Sequence, residues 1–266
     1  MEFSKIGGYG SGLFLVSQLA LAGCSSLPPV KEHPAPENVP QGSYVVKTLH
    51  RTYYKLDQNR NTPSYIKDGK KFYEVEQAEI IEHRVLNPEK TMLIVMDPWE
   101  DVGSDLLNNH CGKVFHGKML PLVNKCIELG IPVTVLTNAK DAQGYGYDIY
   151  RELAELGDQG KLEVVFHGQV DAAGFTKKLK SRGIDTLVYC GFCTNMCLIG
   201  RPLGMIGMNL VPGGGFRLFF VPDSSGAIEF GPTWESQEIH NWVSFALSQW
   251  LVELIYTDDI LKLVSN

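Results

Sequence analysis

The chain has 266 residues and a formal net charge of −6, with 24 Lys and Arg against 30 Asp and Glu, and 44% of its residues are hydrophobic. This composition is typical of a globular protein, and the length suits one α/β domain with additional segments. No dense cluster of basic residues occurs in the sequence, which excludes the electrostatic surface of a nucleic-acid-binding protein. We therefore expect a small-molecule partner and no nucleic acid.

Residues 1–23 have the pattern of a bacterial signal peptide. Lys5 precedes an apolar run of ten residues, 13–22, which is too short to cross a bilayer as a helix. The run ends in Leu21-Ala22-Gly23-Cys24, which resembles a lipobox and implies that Cys24 is lipidated; an ordinary signal peptide is the alternative. Because Ser25 follows Cys24, the resemblance implies an outer-membrane lipoprotein that faces the periplasm, with its lipid as the membrane contact.

Two further segments precede the main domain. Residues 24–42 are rich in proline and predict an extended tether. Within residues 43–90, two stretches rich in Tyr, Val, Phe and Ile flank a polar, turn-forming stretch. This pattern predicts a β-hairpin-like extension that packs on the main domain. We expect the main domain over residues 91–266.

From residue 91 onward, short continuous apolar runs alternate with helical stretches, which predicts a doubly wound, mainly parallel sheet in a three-layer α/β/α fold. The predicted strands are 92–96, 132–136, 162–166, 186–189 and 217–221. The predicted helices are 113–129, 149–156, 173–182, 195–208 and 235–255.

Ligands of such folds bind beyond the carboxyl ends of the strands, and chemically capable residues occur there. Asp97 follows the first predicted strand, His167 follows the third, and Cys197 lies in the segment that follows the fourth. A thiol in the first turn of a helix is stabilised as the thiolate, so we expect a lowered pKa for Cys197. Asp97 could accept the thiol proton and later return it to a leaving group.

Five cysteines remain besides Cys24, and an odd number leaves at least one thiol unpaired in an oxidising compartment. Cys190 and Cys193 form a C-x-x-C pattern, for which a redox role is the alternative. We disfavour that role because Cys190 ends a predicted strand, whereas redox motifs open a helix.

Two segments carry a family resemblance. Residues 91–101 resemble the opening strand and catalytic aspartate of the isochorismatase-like cysteine hydrolases, and Gly191-Phe192-Cys193-Thr194-Asn195-Met196-Cys197-Leu198 resembles their nucleophile motif. The similarity runs from Thr91 to the C-terminus and includes 221–223 and His240.

The resemblance implies hydrolysis of a small amide or a related C–N bond. Asp97 would activate Cys197, a thioester would form, and the backbone N–H groups of Cys193 and Cys197 would build the oxyanion hole. A cis Phe192–Cys193 peptide bond is implied, no cofactor is expected, and a homo-oligomer is possible because relatives are commonly oligomeric. Isochorismatase itself lacks the cysteine, so Cys197 favours amide chemistry.

The family's catalytic lysine is absent from this sequence. Counting from the end of the third strand places His167 at the lysine position, whereas counting back from Phe175 places Gln169 there. We favour His167 because an imidazolium would supply the missing positive charge. Lys140 is a possible surrogate cation, and Trp99 a possible substrate contact. No metal is expected, because the Asp-x-His pattern is missing around 138–141. The alternative function is that of a catalytically degenerate relative that binds a ligand or partner as a lipoprotein.

Overall fold

The computed structural model describes residues 29–52, 78–139 and 147–264, and between 53 and 77 it describes only four two-residue strands. The predicted signal peptide, Cys24 and Lys140 lie outside the described residues. The described strands are β1 (Val30–Glu32), β2 (Tyr44–Thr52), β3 (Lys55–Leu56), β4 (Pro63–Ser64), β5 (Ile66–Lys67), β6 (Lys70–Lys71), β7 (Ala78–Leu86), β8 (Thr91–Met96), β9 (Val133–Thr137), β10 (Glu163–Phe166), β11 (Thr186–Phe192), β12 (Arg217–Gly226) and β13 (Glu253–Leu254).

The described helices pack on both faces of the sheet. They are α1 (Asp105–Val114), α2 (Leu120–Glu128), α3 (Arg151–Asp158), α4 (Ala172–Ser181), α5 (Cys197–Gly200), α6 (Met205–Leu210), α7 (Glu238–Trp250) and α8 (Thr257–Leu261). A π-helical segment, Phe115–Met119, joins α1 to α2. Two separate apolar cores, one containing residues of α1 to α3 and the other residues of α4 to α7, lie on opposite faces of the sheet. The predicted three-layer α/β/α fold is therefore confirmed.

Nine of the described strands form one sheet in the order β1-β7-β2-β13-β12-β11-β8-β9-β10. From β13 to β10 every neighbouring pair is parallel. The chain leaves β8 in one direction through β9 and β10, and then returns to build β11, β12 and β13 on the other side of β8. The boundary between β8 and β11 is thus the topological switch point, where ligands of doubly wound sheets bind.

The predicted hairpin-like extension consists of β2 and β7, which pair antiparallel from Tyr44 with Leu86 to Thr52 with Ala78. It continues the main sheet, because Leu49 of β2 pairs with Leu254 of β13. Glu253 is buried at this junction and accepts hydrogen bonds from Arg84 at 2.8 and 3.1 Å and from Thr48 at 2.8 Å. Part of the predicted tether, Val30–Glu32, pairs parallel with β7 as the edge strand.

Three predicted helix boundaries are wrong. The first helix begins at Asp105 because the Ser104 hydroxyl caps it. The helix predicted over 195–208 divides into α5 and α6, because Pro202 has no N–H to donate inside a helix. The last helix ends at Trp250, and Glu253 and Leu254 form β13 instead, since tertiary pairing with β12 and β2 outweighs local helix propensity.

Among the described residues, none of the helices combines the length and the apolar character that a membrane crossing requires.

Candidate active site

Asp97 is the first residue beyond β8 at the switch point, and its side chain is fully buried. Its backbone is in the left-handed region, with φ of 44°, which is rare for a residue other than glycine and is tolerated best by Asp and Asn. The backbone N–H of Asp97 still donates to the Leu136 carbonyl of β9 at 2.8 Å, so the chain turns away immediately after the last sheet hydrogen bond.

Gly191 brings β11 close to the strand that carries Asp97. It pairs with Met96 of β8 and has φ of 124°. A Cβ atom at this position would lie 2.1 Å from the Met96 carbonyl oxygen, which no side chain could tolerate without a shift of the backbone. The glycine of the nucleophile motif therefore allows the Cys193–Cys197 loop to start directly beside Asp97.

Cys197 is the first residue of α5 and is half-buried. The Asp97 carboxylate, the backbone N–H of Cys193 and the Arg201 cation all act on the pKa of its thiol, so these groups lie close to the sulfur. The structure thus brings together Asp97, Cys193 and Cys197, which the sequence placed at the ends of two different strands.

The expected lowering of the Cys197 pKa is wrong. Burial, the largest cause, raises the pKa of this thiol, and the hydrogen bond to Asp97 and the negative charge of that carboxylate raise it further. The backbone N–H of Cys193 and the Arg201 cation oppose the rise without overcoming it. The start of α5 contributes little because this helix spans only four residues, Cys197–Gly200, so few peptide dipoles are aligned.

Two donors hold the Asp97 carboxylate. His167 Nε2 lies 2.7 Å from Oδ1, and because an ionised carboxylate can only accept, the imidazole is the donor. Arg201 Nε and Nη2 each lie 3.1 Å from Oδ2. Arg201 follows Cys197 by one helical turn, so the cation next to Asp97 comes from the nucleophile's own element. The sequence pattern did not single out this arginine as a partner of Asp97.

The other predicted site residues lie apart from this group. The Gln169 side chain accepts from the backbone N–H of Phe166 at 3.1 Å and so stabilises its own turn. Trp99 is half-buried, donates its indole N–H to the Thr137 hydroxyl at 2.9 Å, and has its ring centroid 4.7 Å from that of Tyr147. Lys140 is outside the described residues.

The loop that contains Cys193 is fixed on the side away from Asp97. The Phe192–Cys193 peptide bond is cis, as the resemblance implied. Thr194 is fully buried, and its backbone N–H donates to the Gly226 carbonyl at 2.8 Å. The Thr194 hydroxyl lies 3.1 Å from the same carbonyl and 2.9 Å from His240 Nδ1.

The four other thiols among the described residues are buried and free. Burial raises the pKa of Cys190 well above its usual range and that of Cys111 to about 12. Cys190 lies inside β11, completely enclosed, so the C-x-x-C pattern does not present a reactive pair. Asp223 accepts from the Thr257 backbone and hydroxyl at 3.0 and 2.9 Å, which is a structural role at the start of α8.

A cavity of about 710 Å³ lies at the carboxyl ends of β9 and β10, beside Trp99. Thr137, Asn138, Tyr147 and Phe166 contribute to its lining, whereas Asp97, His167 and Cys197 do not. Within the described part of the chain, no three His, Cys, Asp or Glu side chains are arranged to hold a metal ion.

The chain matches no protein-family model, and it has no match among curated proteins. Solved structures with a similar fold include an isochorismatase from Pseudomonas putida KT2440, with a TM-score of 0.48 and 16% identity over 64% of this chain and 89% of that one. A cysteine hydrolase from Pseudomonas syringae pv. phaseolicola 1448A gives a TM-score of 0.47 and 16% identity, covering 66% of this chain and 93% of the other. A nicotinamidase from Staphylococcus aureus gives a TM-score of 0.46 and 14% identity, covering 62% of this chain and 97% of the other. At these low identities and TM-scores, the likenesses assign no residue role and no reaction to this chain.

Proposed function

We propose that this protein is a cysteine hydrolase that cleaves a small amide or a related C–N bond through a thioester on Cys197. One observation carries the proposal: the half-buried Cys197 thiol lies beside the fully buried Asp97 carboxylate, which His167 and Arg201 hold in place. A carboxylate is seldom buried without such partners, and here its remaining contact is a thiol.

In the first half of the reaction, Asp97 acts as a general base. The raised pKa of the Cys197 thiol keeps this thiol protonated before the reaction. Its proton therefore passes to the Asp97 carboxylate as the sulfur attacks the amide carbon and forms the S–C bond. The protonated Asp97 then gives this proton to the nitrogen as the C–N bond breaks. The amine or ammonia leaves, and a thioester remains on Cys197.

In the second half, the same carboxylate activates water. Asp97 takes a proton from a water molecule that attacks the thioester carbon, the carboxylic acid is released, and the proton returns to the Cys197 sulfur. The negative oxygen formed in each half would accept hydrogen bonds from the backbone N–H groups of Cys193 and Cys197, the oxyanion donors that the resemblance implies. In other enzymes, such a donor contributes about 3 to 4 kcal/mol of transition-state stabilisation.

In this account His167 and Arg201 are positioning residues, because both act through Asp97. Arg201 supplies the positive charge that the missing lysine would give, and its bonds to Oδ2 leave the carboxylate oriented toward the sulfur. His167 fixes the other oxygen. A neutral imidazole is sufficient for this donation, so the role of His167 does not require that it carry a charge.

Ammonia release from a panel of small primary amides tests the proposal. We expect the wild-type protein to release ammonia from at least one amide, and Cys197→Ala to stay at background. The unfolding midpoint in urea should be similar in both proteins, because the substituted side chain is small and half-buried. Equal rates in wild type and Cys197→Ala across the panel would refute the proposal.

A second candidate is a degenerate relative that binds a ligand or partner without turnover. The raised pKa of the Cys197 thiol favours it, since a protonated thiol is a weak nucleophile unless a base takes the proton during attack. The two candidates differ in one measurable property. The hydrolase turns over bound amide, whereas the binding protein retains the same molecule unchanged, which mass spectrometry of the recovered ligand distinguishes.

We further propose that Cys24 is lipidated and holds the domain at the periplasmic face of the outer membrane. The apolar run 13–22 and the Leu21-Ala22-Gly23-Cys24 segment support this localisation. Metabolic labelling with a radioactive fatty acid should mark the wild-type protein in cells and fail to mark Cys24→Ala. A homo-oligomer remains part of the proposal, and light scattering of the protein without its signal segment measures its mass.

A further inference from the structure

His240 lies next to the loop of the proposed nucleophile, although it is far from Cys197 in the sequence. It is in the first turn of α7, and only 7% of its surface is exposed. Its Nδ1 atom lies 2.9 Å from the hydroxyl of Thr194, which is fully buried. Thr194 directly follows Cys193, whose backbone N–H lies close to the Cys197 sulfur.

We infer that the hydrogen bond between His240 and Thr194 positions the backbone N–H groups of Cys193 and Cys197 for the oxyanion. This inference rests on the proposed hydrolase function and makes His240 a positioning residue, since it does not touch the reacting atoms. The described contacts of His240 give it one defined orientation.

The backbone of His240 is held independently of Thr194. Its N–H donates to Glu229 Oε1 at 2.8 Å, and the neighbouring N–H of Ile239 donates to Oε2 at 3.1 Å. Glu229 is itself buried and therefore fixes the start of α7 from the loop beyond β12. The position of the imidazole is thus set by Glu229, and not by the Thr194 loop that the imidazole would position.

The imidazole has two directional contacts. One is the hydrogen bond between Nδ1 and the Thr194 hydroxyl, and the other is with the Pro222 carbonyl, which can only accept and therefore raises the pKa of the ring. Burial lowers the pKa of His240, with Glu229 opposing the shift, so the ring is neutral near pH 7. A neutral ring with its proton on Nδ1 fits these contacts: Nδ1–H donates to the Thr194 hydroxyl oxygen, because the hydrogen of that hydroxyl is donated to the Gly226 carbonyl.

The Gly226 carbonyl completes the attachment of the loop. It accepts from the backbone N–H of Thr194 at 2.8 Å, and a Cβ atom at Gly226 would lie 2.8 Å from His110 Nε2. Thr194 is therefore held between β12 and α7, while the opposite end of the loop meets Asp97. Loss of the His240 contact would leave the Thr194 side chain with one remaining partner, and a shift of about 1 Å in a catalytic group can cost roughly a hundredfold in rate.

Two substitutions separate the contacts of the ring. Asn carries its amide group at the place of Nδ1, and Gln carries it at the place of Nε2. His240→Asn keeps an amide N–H that can donate to the Thr194 hydroxyl oxygen, whereas His240→Gln moves the amide away from Thr194. Asn is one methylene smaller than Gln, and the two variants serve as controls for each other because each keeps one amide group.

The readouts are kcat and KM on an amide that the wild type hydrolyses, and amide hydrogen exchange of residues 192–198. We expect His240→Gln and Thr194→Val to lower kcat by roughly tenfold to a hundredfold with KM nearly unchanged, and to speed exchange in that segment. His240→Asn should stay within a fewfold of wild type in both readouts. The double variant His240→Gln/Thr194→Val should lose no more than the worse single variant.

Equal losses in His240→Asn and His240→Gln, or additive losses in the double variant, would overturn the inference. Hydrogen exchange needs no substrate, so it tests the positioning role of His240 separately from the proposed hydrolase function. If the wild type hydrolyses no amide, the proposed function fails, while unchanged exchange in His240→Gln alone would overturn the positioning role.

Discussion

Arg201 donates to Asp97 from one helical turn beyond Cys197, so the proposed base and nucleophile share a cation that belongs to the nucleophile's own segment. Asp97 is fully buried, whereas the Arg201 side chain is 29% exposed. The ion pair therefore connects the end of β8 to the segment that follows β11, across the switch point.

Replacing Asp97 by Asn should abolish hydrolysis and make the Cys197 thiol more reactive. The carboxylate and its hydrogen bond both raise the pKa of this thiol, so the uncharged amide lowers it, and the Arg201 cation then acts without an opposing charge. The second-order rate of iodoacetamide labelling at Cys197, followed from pH 6 to pH 10, measures this shift. A curve displaced to higher pH in Asp97→Asn would contradict the arrangement.

Replacing Arg201 by Met should lower kcat/KM by roughly a hundredfold, because the buried carboxylate loses its charge partner and its orientation. Arg201→Lys retains the charge but not the forked geometry, so we expect it to recover part of the activity. Steady-state kinetics on the three proteins measure the effect. Activity of Arg201→Met equal to that of the wild type would show that the ion pair has no catalytic consequence.

Replacing His167 by Gln should leave kcat/KM within about tenfold of wild type, since the Gln amide can donate a hydrogen bond from nearly the same place as Nε2. His167→Leu removes the donor and should lower activity much further, because a buried charge then has an unsatisfied oxygen. If His167→Gln were as inactive as His167→Leu, the charge of an imidazolium would be required, and the cation role expected from the sequence would replace the donor role.

Replacing Gly191 by Ala should destabilise the protein by several kcal/mol or prevent folding, because the new Cβ would lie 2.1 Å from the Met96 carbonyl oxygen at a positive φ. Gly117→Ala is the matched control, since it lies in the helical segment Phe115–Met119 with open space around it. Urea unfolding should show little change or a gain of up to about 1 kcal/mol for the control. Similar stability of both variants would contradict the close approach of β11 to β8.

Much of the fold follows from local sequence signals. Parallel strands buried on both faces are continuous apolar runs, which is why 92–96 and 217–221 closely matched β8 and the first half of β12. The positions of Asp97 and Cys197 followed from the rule that sites lie beyond strand ends. The signal for the earlier start of α1 was present in Ser104 and Asp105, a cap followed by an acidic residue.

The electrostatics of the site could not be predicted in the same way. The pKa of Cys197 depends on the depth of burial and on the distance to Asp97, and neither is encoded in the short segment around the cysteine. The contact between Arg201 and Asp97 joins positions 104 residues apart. The Thr194 contact of His240 arises in the same way, from the docking of α7 against a loop 46 residues away in the sequence.

The most direct test of the central claim is the mass of the protein during turnover. Acid quenching of the wild type with a hydrolysed amide, followed by peptide mass spectrometry, should show the acyl group of that amide on the peptide that contains Cys197, and no adduct in Cys197→Ser. Ammonia release without any acyl adduct on Cys197, or with the adduct on another residue, would contradict the thioester and with it the role assigned to this thiol.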